Sequence, residues 1–222
     1  MIFQLNMPIP KVIYQTFRNN QLPLMNRLSV KWLKLRNKDY RYEFYDDERI
    51  CTFLAEEYGQ DILDTYNRLN IGAAKADFFR YAILYKKGGV YLDIDAYVPG
   101  RLADIIRPDD CAVISREGFP DLFVQWALIY EAGHPFLKRT LDVVVKNIKE
   151  NSFPGSVHWM TGPTAYSKAI LAVMAEQPDT PYRIFGQDYQ KKIKARLPLS
   201  GQLYKGSQHW KKMEKITGVL KP

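Results

Sequence analysis

The stretch "KKGGVYLDIDAY", Lys86 to Tyr97, decides how the chain is read. Two lysines and two glycines close a helix: cations suit its negative end, and glycine accepts the backbone angles that stop it. A strand then alternates. Val90, Leu92 and Ile94 point to one face, and Tyr91, Asp93 and Asp95 to the other. On that reading the two carboxylates stand at i and i+2, with Cβ atoms roughly 6–7 Å apart. Like charges so close repel, and burial raises the cost. A divalent cation would cancel that repulsion, and ionised carboxylates are hard oxygen ligands suited to Mg²⁺ or Mn²⁺. An Asp-x-Asp at the carboxyl end of a strand in an open α/β sheet is also where such sheets bind ligands. The triplet alone is common as a solvated strand end; the apolar alternation and double-glycine stop before it make it specific.

The preceding segment "GAAKADFFRYAILYKKGG" is rich in helix formers. Asp77 and Arg80 share one face of it at i and i+3, near Ala73 and Leu84. The plain reading is a helix ion pair. The functional one is a carboxylate accepting hydrogen bonds from sugar hydroxyls beside a guanidinium facing a diphosphate.

Outward from this block, strand and helix alternate. "PKVIYQTF" and "YRYEFYDD" read as strands. Between them, "LMNRLSVKWLKLRN" reads as a helix with Leu28, Trp32 and Leu35 on one apolar face. Asp46 or Asp47 caps the next helix, "DERICTFLAEEYG", and "DILDTYNRLN" is a short one. "CAVISRE" and "LFVQWALIY" read as strands, "HPFLKRTLDVVVKNIKE" and "GPTAYSKAILAVMAEQ" as helices, and "YRIFG" as a late strand. The pattern predicts an α/β fold with helices on both faces of a sheet, in one domain spanning residues 1–222.

With 46% hydrophobic residues a disordered chain is excluded. No apolar run is long enough to span a bilayer, and "MIFQLNMPIPK" lacks the features of a signal peptide. Cys51 and Cys111 give neither a disulfide framework nor zinc spacing, so two free thiols in a reducing cytoplasm are expected. Walker, Rossmann and nucleophile-elbow motifs are absent, as is an RNA-binding pattern, so no nucleic acid partner is expected.

The net charge of +8 is uneven: Gln187 to Pro222 holds nine basic and two acidic residues. That segment suggests an anionic partner, which a phosphate-bearing substrate, an acidic membrane surface or, absent any motif for it, nucleic acid would satisfy. Trp210, Met213, Ile216, Thr217 and Leu220 form an apolar face that either packs on the domain or docks on the inner face of a membrane. In "GSQHW", His209 is a candidate metal ligand and Trp210 a stacking surface. His134 and His158 lack a comparable setting; His134, before Pro135, reads as structural.

Three segments carry a resemblance to a known family. "IPKVIYQTF" (Ile9–Phe17), "NKDYRYEFYDD" (Asn37–Asp47) and above all "AAKADFFRYAILYKKGGVYLDIDAYVP" (Ala73–Pro99) are similar to blocks of glycosyltransferase family 32. That group includes yeast initiating mannosyltransferases and bacterial capsule and lipopolysaccharide sugar transferases. "AGHPFL" and "TGP" are weaker echoes. The resemblance implies a GT-A fold with a mostly parallel central sheet. It also implies retaining transfer of a hexose from a nucleotide diphosphate sugar, a UDP-hexose or GDP-mannose, to a glycan or glycolipid, with Mn²⁺ or Mg²⁺. On it, Asp95 ligates the metal, and Asp93 contacts ribose, sugar or metal-bound water. Asp77 and Arg80 hold the hexose and balance the diphosphate, while Thr16 and Phe17 lie near the base. His209, with Ser207 as rival, completes the metal site, and Trp210 lies over the donor. Tyr14, Phe17 and Ala76 stand where the family usually has His, Trp and Ser. The competing expectation is a non-catalytic module of the same fold that binds polyanions through its basic C-terminal segment.

Overall fold

The computed structural model describes residues 8–118, 121–196 and 210–222, with the side chains of 210–212 left aside. Six strands form one sheet: β1 (Val12–Thr16), β2 (Arg41–Tyr45), β3 (Gly89–Leu92), β4 (Ala112–Arg116), β5 (Ala127–Tyr130) and β6 (Arg183–Gln187). Their order is β2-β1-β3-β5-β4-β6. β2, β1 and β3 run parallel, as do β4 and β6, and β5 runs antiparallel to both neighbours. The helices are α1 (Leu24–Arg36), α2 (Asp47–Tyr58), α3 (Gln60–Asn67), α4 (Gly72–Lys87), α5 (Pro135–Glu150), α6 (Val157–Met160), α7 (Pro163–Glu176) and α8 (Trp210–Thr217).

Strand alternation sorts the core into two layers. Tyr14, Tyr91, Leu128 and Tyr130 join the larger cluster, built with α2, α4, α5 and α7. Ile13, Val90, Leu92 and Ile129 join the smaller, closed by Leu33 of α1 and by Leu102, Tyr189 and Ile193. α4 lies in the larger layer, and consecutive Phe78 and Phe79 are both fully buried. Neighbouring residues point about 100° apart on a helix, so burying both means enclosure on several sides. Each such ring contributes about 1.5–3 kcal/mol by leaving water.

The double-glycine stop has a structural cause. Gly88 and Gly89 adopt φ of +63° and +112°. A Cβ at Gly88 would stand 2.7 Å from Ala132 N, and one at Gly89 2.8 Å from Val12 O. Only glycine lets α4 turn into β3 against that backbone. Asp46 is the cap of α2, accepting from Arg49 N at 3.0 Å. His134 is structural: its Nδ1 accepts from Phe136 N at 3.2 Å, Nε2 meets Pro181 O at 3.0 Å, and burial pulls its pKa down to about 4.

Two readings are corrected, and two are filled in. β3 ends at Leu92, so Asp93 and Asp95 lie on a turn, closed by Ala96 N donating to Asp93 O at 2.9 Å, and not on one strand face. In "LFVQWALIY" only Ala127–Tyr130 is strand. The helix read between the first two strands forms as α1; its Leu28, Trp32 and Leu35 are exposed, and it buries Asn26 and Leu33. Of the two readings left open for the C-terminal face, packing on the domain holds: Met213 packs on the larger core and Leu220 is buried, leaving Ile216 exposed.

Candidate functional site

The carboxyl ends of parallel β1 and β3 lie side by side, and the chain after each lines a cavity of about 550 Å³. Thr16, Phe17, Asp77, Arg80, Asp93 and Asp95 all border it. Six of the eight residues singled out in advance therefore meet at one opening. His209, like Ser207, lies outside the described residues, and Trp210 begins α8.

The Asp93–Ala96 turn is held from three directions. Asp93 N donates to Trp126 O at 2.8 Å. Gln15 of β1 donates to Asp93 O at 3.1 Å, and Asn26 of α1 donates to Ile94 O at 3.1 Å. These bonds occupy main-chain groups, and both Asp93 and Asp95 border the cavity. Asp93 Oδ1 takes Arg80 Nη2 at 2.9 Å and the Tyr91 hydroxyl at 3.0 Å. Its side chain is nevertheless 28% exposed, so the ion pair does not seal it from solvent. Burial raises the Asp93 pKa, and Arg80 counters only part of that.

Behind the turn lies a buried network. Asp77 Oδ1 accepts from Gln125 Nε2 at 2.7 Å and pairs with Arg80 at 3.3 Å, while Oδ2 accepts from the Thr161 hydroxyl at 2.9 Å. Burial raises the Asp77 pKa against the opposing pull of Arg80 and those two donors. Arg80 also donates to Ala76 O at 3.2 Å and Gln125 O at 2.8 Å, and its guanidinium lies 4.8 Å from the Tyr91 ring centroid. Burial alone would disfavour the Arg80 charge; Asp93, Tyr91 and Asp77 outweigh it and push the pKa up. Arg80 is thus a strut that aims Asp93, its N–H groups largely spent on protein acceptors.

Other features then supply positive potential. Gly72, Ala73, Lys75 and Ala76, in the first turns of α4, line the cavity, so the positive end of that helix faces it. Arg18 and Lys75 add full charges. Thr16, whose hydroxyl donates to Tyr45 O at 2.8 Å, and half-buried Phe17 also border the cavity. Tyr14 is 2% exposed and belongs to the core, so its place in the opening strand serves packing.

For a divalent metal, the donor set is the test. Among the described residues no three His, Cys, Asp or Glu converge. Two carboxylates on a cavity-lining turn are nonetheless the set by which Mg²⁺ or Mn²⁺ is held when substrate phosphates and water complete the shell. The residues fit such an ion.

Gln125, Thr161, Asn26 and Gln15 escaped the sequence reading. Gln125 gave one signal, a polar residue inside an apolar run, and Thr161 opens the "TGP" echo. His158, set aside earlier, also borders the cavity. Beyond it a second cavity of about 460 Å³ shares Glu117 and Trp126 with the first. Burial, and less so Asp188, raises the Glu117 pKa.

Residues 25–113, which contain Asp77, Arg80, Asp93 and Asp95, match the family model "glycosyltransferase sugar-binding region containing DXD motif". Over these residues the chain is similar to glycosyltransferases that carry a DXD motif. It is 31% identical over 179 residues to inositol phosphoceramide mannosyltransferase 3 of Schizosaccharomyces pombe, covering 77% of this chain and 47% of that one. It is 35% identical over 175 residues to the mannosyl phosphorylinositol ceramide synthase CSH1 of Saccharomyces cerevisiae, covering 76% and 43%. The chain thus spans a little under half the length of these curated relatives. In three dimensions it is similar to the PaToxG glycosyltransferase, with a TM-score of 0.63 and 21% identity, over 89% of this chain and 76% of that one. That likeness carries the fold, a GT-A-type sheet flanked by helices. The matched DXD motif lies on the turn after β3, an interior strand of the sheet.

Proposed function

We propose that this chain is a retaining, divalent-metal-dependent hexosyltransferase that uses a nucleotide diphosphate sugar and passes the sugar to a glycan or glycolipid. The observation that carries this reading is the Asp93–Ala96 turn, main chain tied down on three sides and both carboxylates lining the larger cavity. The relatives' names favour mannose as the hexose and a lipid-borne acceptor.

Asp95 and Asp93 would hold the ion, which neutralises charge gained by the departing diphosphate. Lys75, Arg18 and the N-terminus of α4 face the same volume and favour that charge without rearranging. Arg80 keeps Asp93 at the lip of the cavity, and Gln125 and Thr161 keep Asp77 beneath Arg80. Thr16 and Phe17 bound the space for the base, and the second cavity, across Glu117 and Trp126, receives the acceptor. Retention follows from front-face attack: the acceptor oxygen bonds to the anomeric carbon on the side the phosphate leaves, and the departing phosphate oxygen takes the acceptor's proton.

The test is a panel of UDP-hexoses and GDP-mannose, each with and without Mn²⁺, read by thermal shift and nucleotide release. One donor should raise the melting temperature only with metal and be turned over. Asp95→Asn should cut nucleotide release by about a hundredfold or more while keeping the fold. Undiminished metal-dependent release in that variant would overturn the metal role. No response to any donor, together with salt-sensitive binding to polyanions, would favour a non-catalytic module.

A further inference from the structure

Helix α1 is built inside out. Asn26 and Leu33, seven residues apart, face the protein, and Asn37 just beyond its end is also buried. Leu24, Leu28, Trp32 and Leu35, at i, i+4, i+8 and i+11, face away. They are 64%, 50%, 41% and 57% exposed. One exposed leucine is ordinary; four large apolar residues in one stripe on one helix are not.

The rest of the outward surface is cationic. Arg27, Lys31, Lys34 and Arg36 are exposed, and α1 carries no acidic residue. At 100° per residue, Arg27, Lys31 and Lys34 fall along one border of the stripe and Arg36 along the other. Among the described residues none of the four is in an ion pair. Arg36 lies 5.5 Å from the Trp32 ring centroid and Lys34 5.3 Å from that of Tyr42, so cation–π contact supplies what little company they have. An apolar strip bordered on both sides by long basic side chains, with a tryptophan at its edge, suits the interface of an anionic bilayer. The leucines enter the acyl boundary, the indole sits at headgroup level, and the cations extend to the phosphates.

We propose that the outward face of α1 is a membrane-docking surface whose partner is an anionic lipid bilayer. Its inward face bonds the metal-binding turn through Asn26 and Ile94 O. Docking would therefore hold that turn about one helix diameter, ~10 Å, from the lipid surface. The proposal does not depend on the reaction assigned above, because binding is read without turnover.

The test is flotation of the full chain with phosphatidylcholine vesicles, with and without phosphatidylserine. The chain should float with the anionic vesicles alone, and less at high salt. Leu28→Ser/Trp32→Ser and Lys31→Glu/Lys34→Glu should each lower the bound fraction at least about tenfold. Lys215→Glu/Lys221→Glu, in the C-terminal segment, should change it little. Where the apolar pair fails to fold, the charge-reversal pair decides. Several results overturn the proposal: no flotation, as a protein partner for this face would give; equal flotation with neutral vesicles; undiminished flotation of a folded α1 variant; or an equal loss in the C-terminal pair.

Discussion

Two helices hold the Asp93–Ala96 turn, and they bury opposite things. α4 lies inside, with Phe78, Phe79, Ile83 and Leu84 enclosed and two ionisable groups, Asp77 and Arg80, enclosed with them. α1 turns most of its large apolar residues to solvent and puts an asparagine against the turn. A core helix would reverse both choices. In each helix the residue at the turn is chosen for what it does to that turn: Arg80 aims the Asp93 side chain, and Asn26 fixes Ile94 O. Apolar pattern says how much surface a helix wants to hide. It does not say from what.

The sharpest way to break this comparison is to remove the charge in α4. Arg80→Met keeps much of the side chain's volume but leaves Asp77 and Asp93 without their buried cation. Breaking such a pair from one side costs about 3–5 kcal/mol, because the remaining charges stay desolvated. Urea unfolding should show that loss. The double variant Arg80→Met/Asp77→Asn should recover part of it, since one stranded carboxylate is gone. Without recovery, the two residues would not be coupled as drawn.

How much of this could be read from the chain follows from the same contrast. The Ala73–Pro99 block was legible because its signals agree: helix formers, lysines at the helix end, two glycines at positive φ, then alternating apolar residues. The meeting of Asp77, Arg80, Asp93 and Asp95 was legible through the motif. The end of β3 at Leu92 was not, because the bond from Ala96 N to Asp93 O overrides an alternation that continues through Ile94. The direction of β5 leaves no trace in composition. Gln125 was hidden because one polar residue barely disturbs a run that otherwise reads as strand. The helix of α1 was legible but the side it buries was not: its pattern is amphipathic, and amphipathicity is the same whether the apolar side meets a core or something outside the chain.

A middle-sized effect belongs to Asn26. Asn26→Leu conserves shape but removes the donor to Ile94 O, a buried carbonyl. The cost should be about 1–3 kcal/mol in urea unfolding. Nucleotide release should fall by more than the stability loss explains, and its metal dependence should shift to higher concentration, because the carboxylates ride on the loosened turn. A stability loss without any change in metal dependence would make Asn26 a packing residue only.

The smallest effect is the most telling for α1. Leu35 is 57% exposed, so Leu35→Ser should move the unfolding free energy by no more than about 0.5 kcal/mol. Leu84→Ser in α4, fully buried, should cost about 2–5 kcal/mol by cavity and desolvation. Leu→Ser at these two positions thus measures which helix spends its apolar surface on the fold. A loss of 2 kcal/mol or more at Leu35 would mean that its face is covered within the folded chain and has no surface left for a membrane.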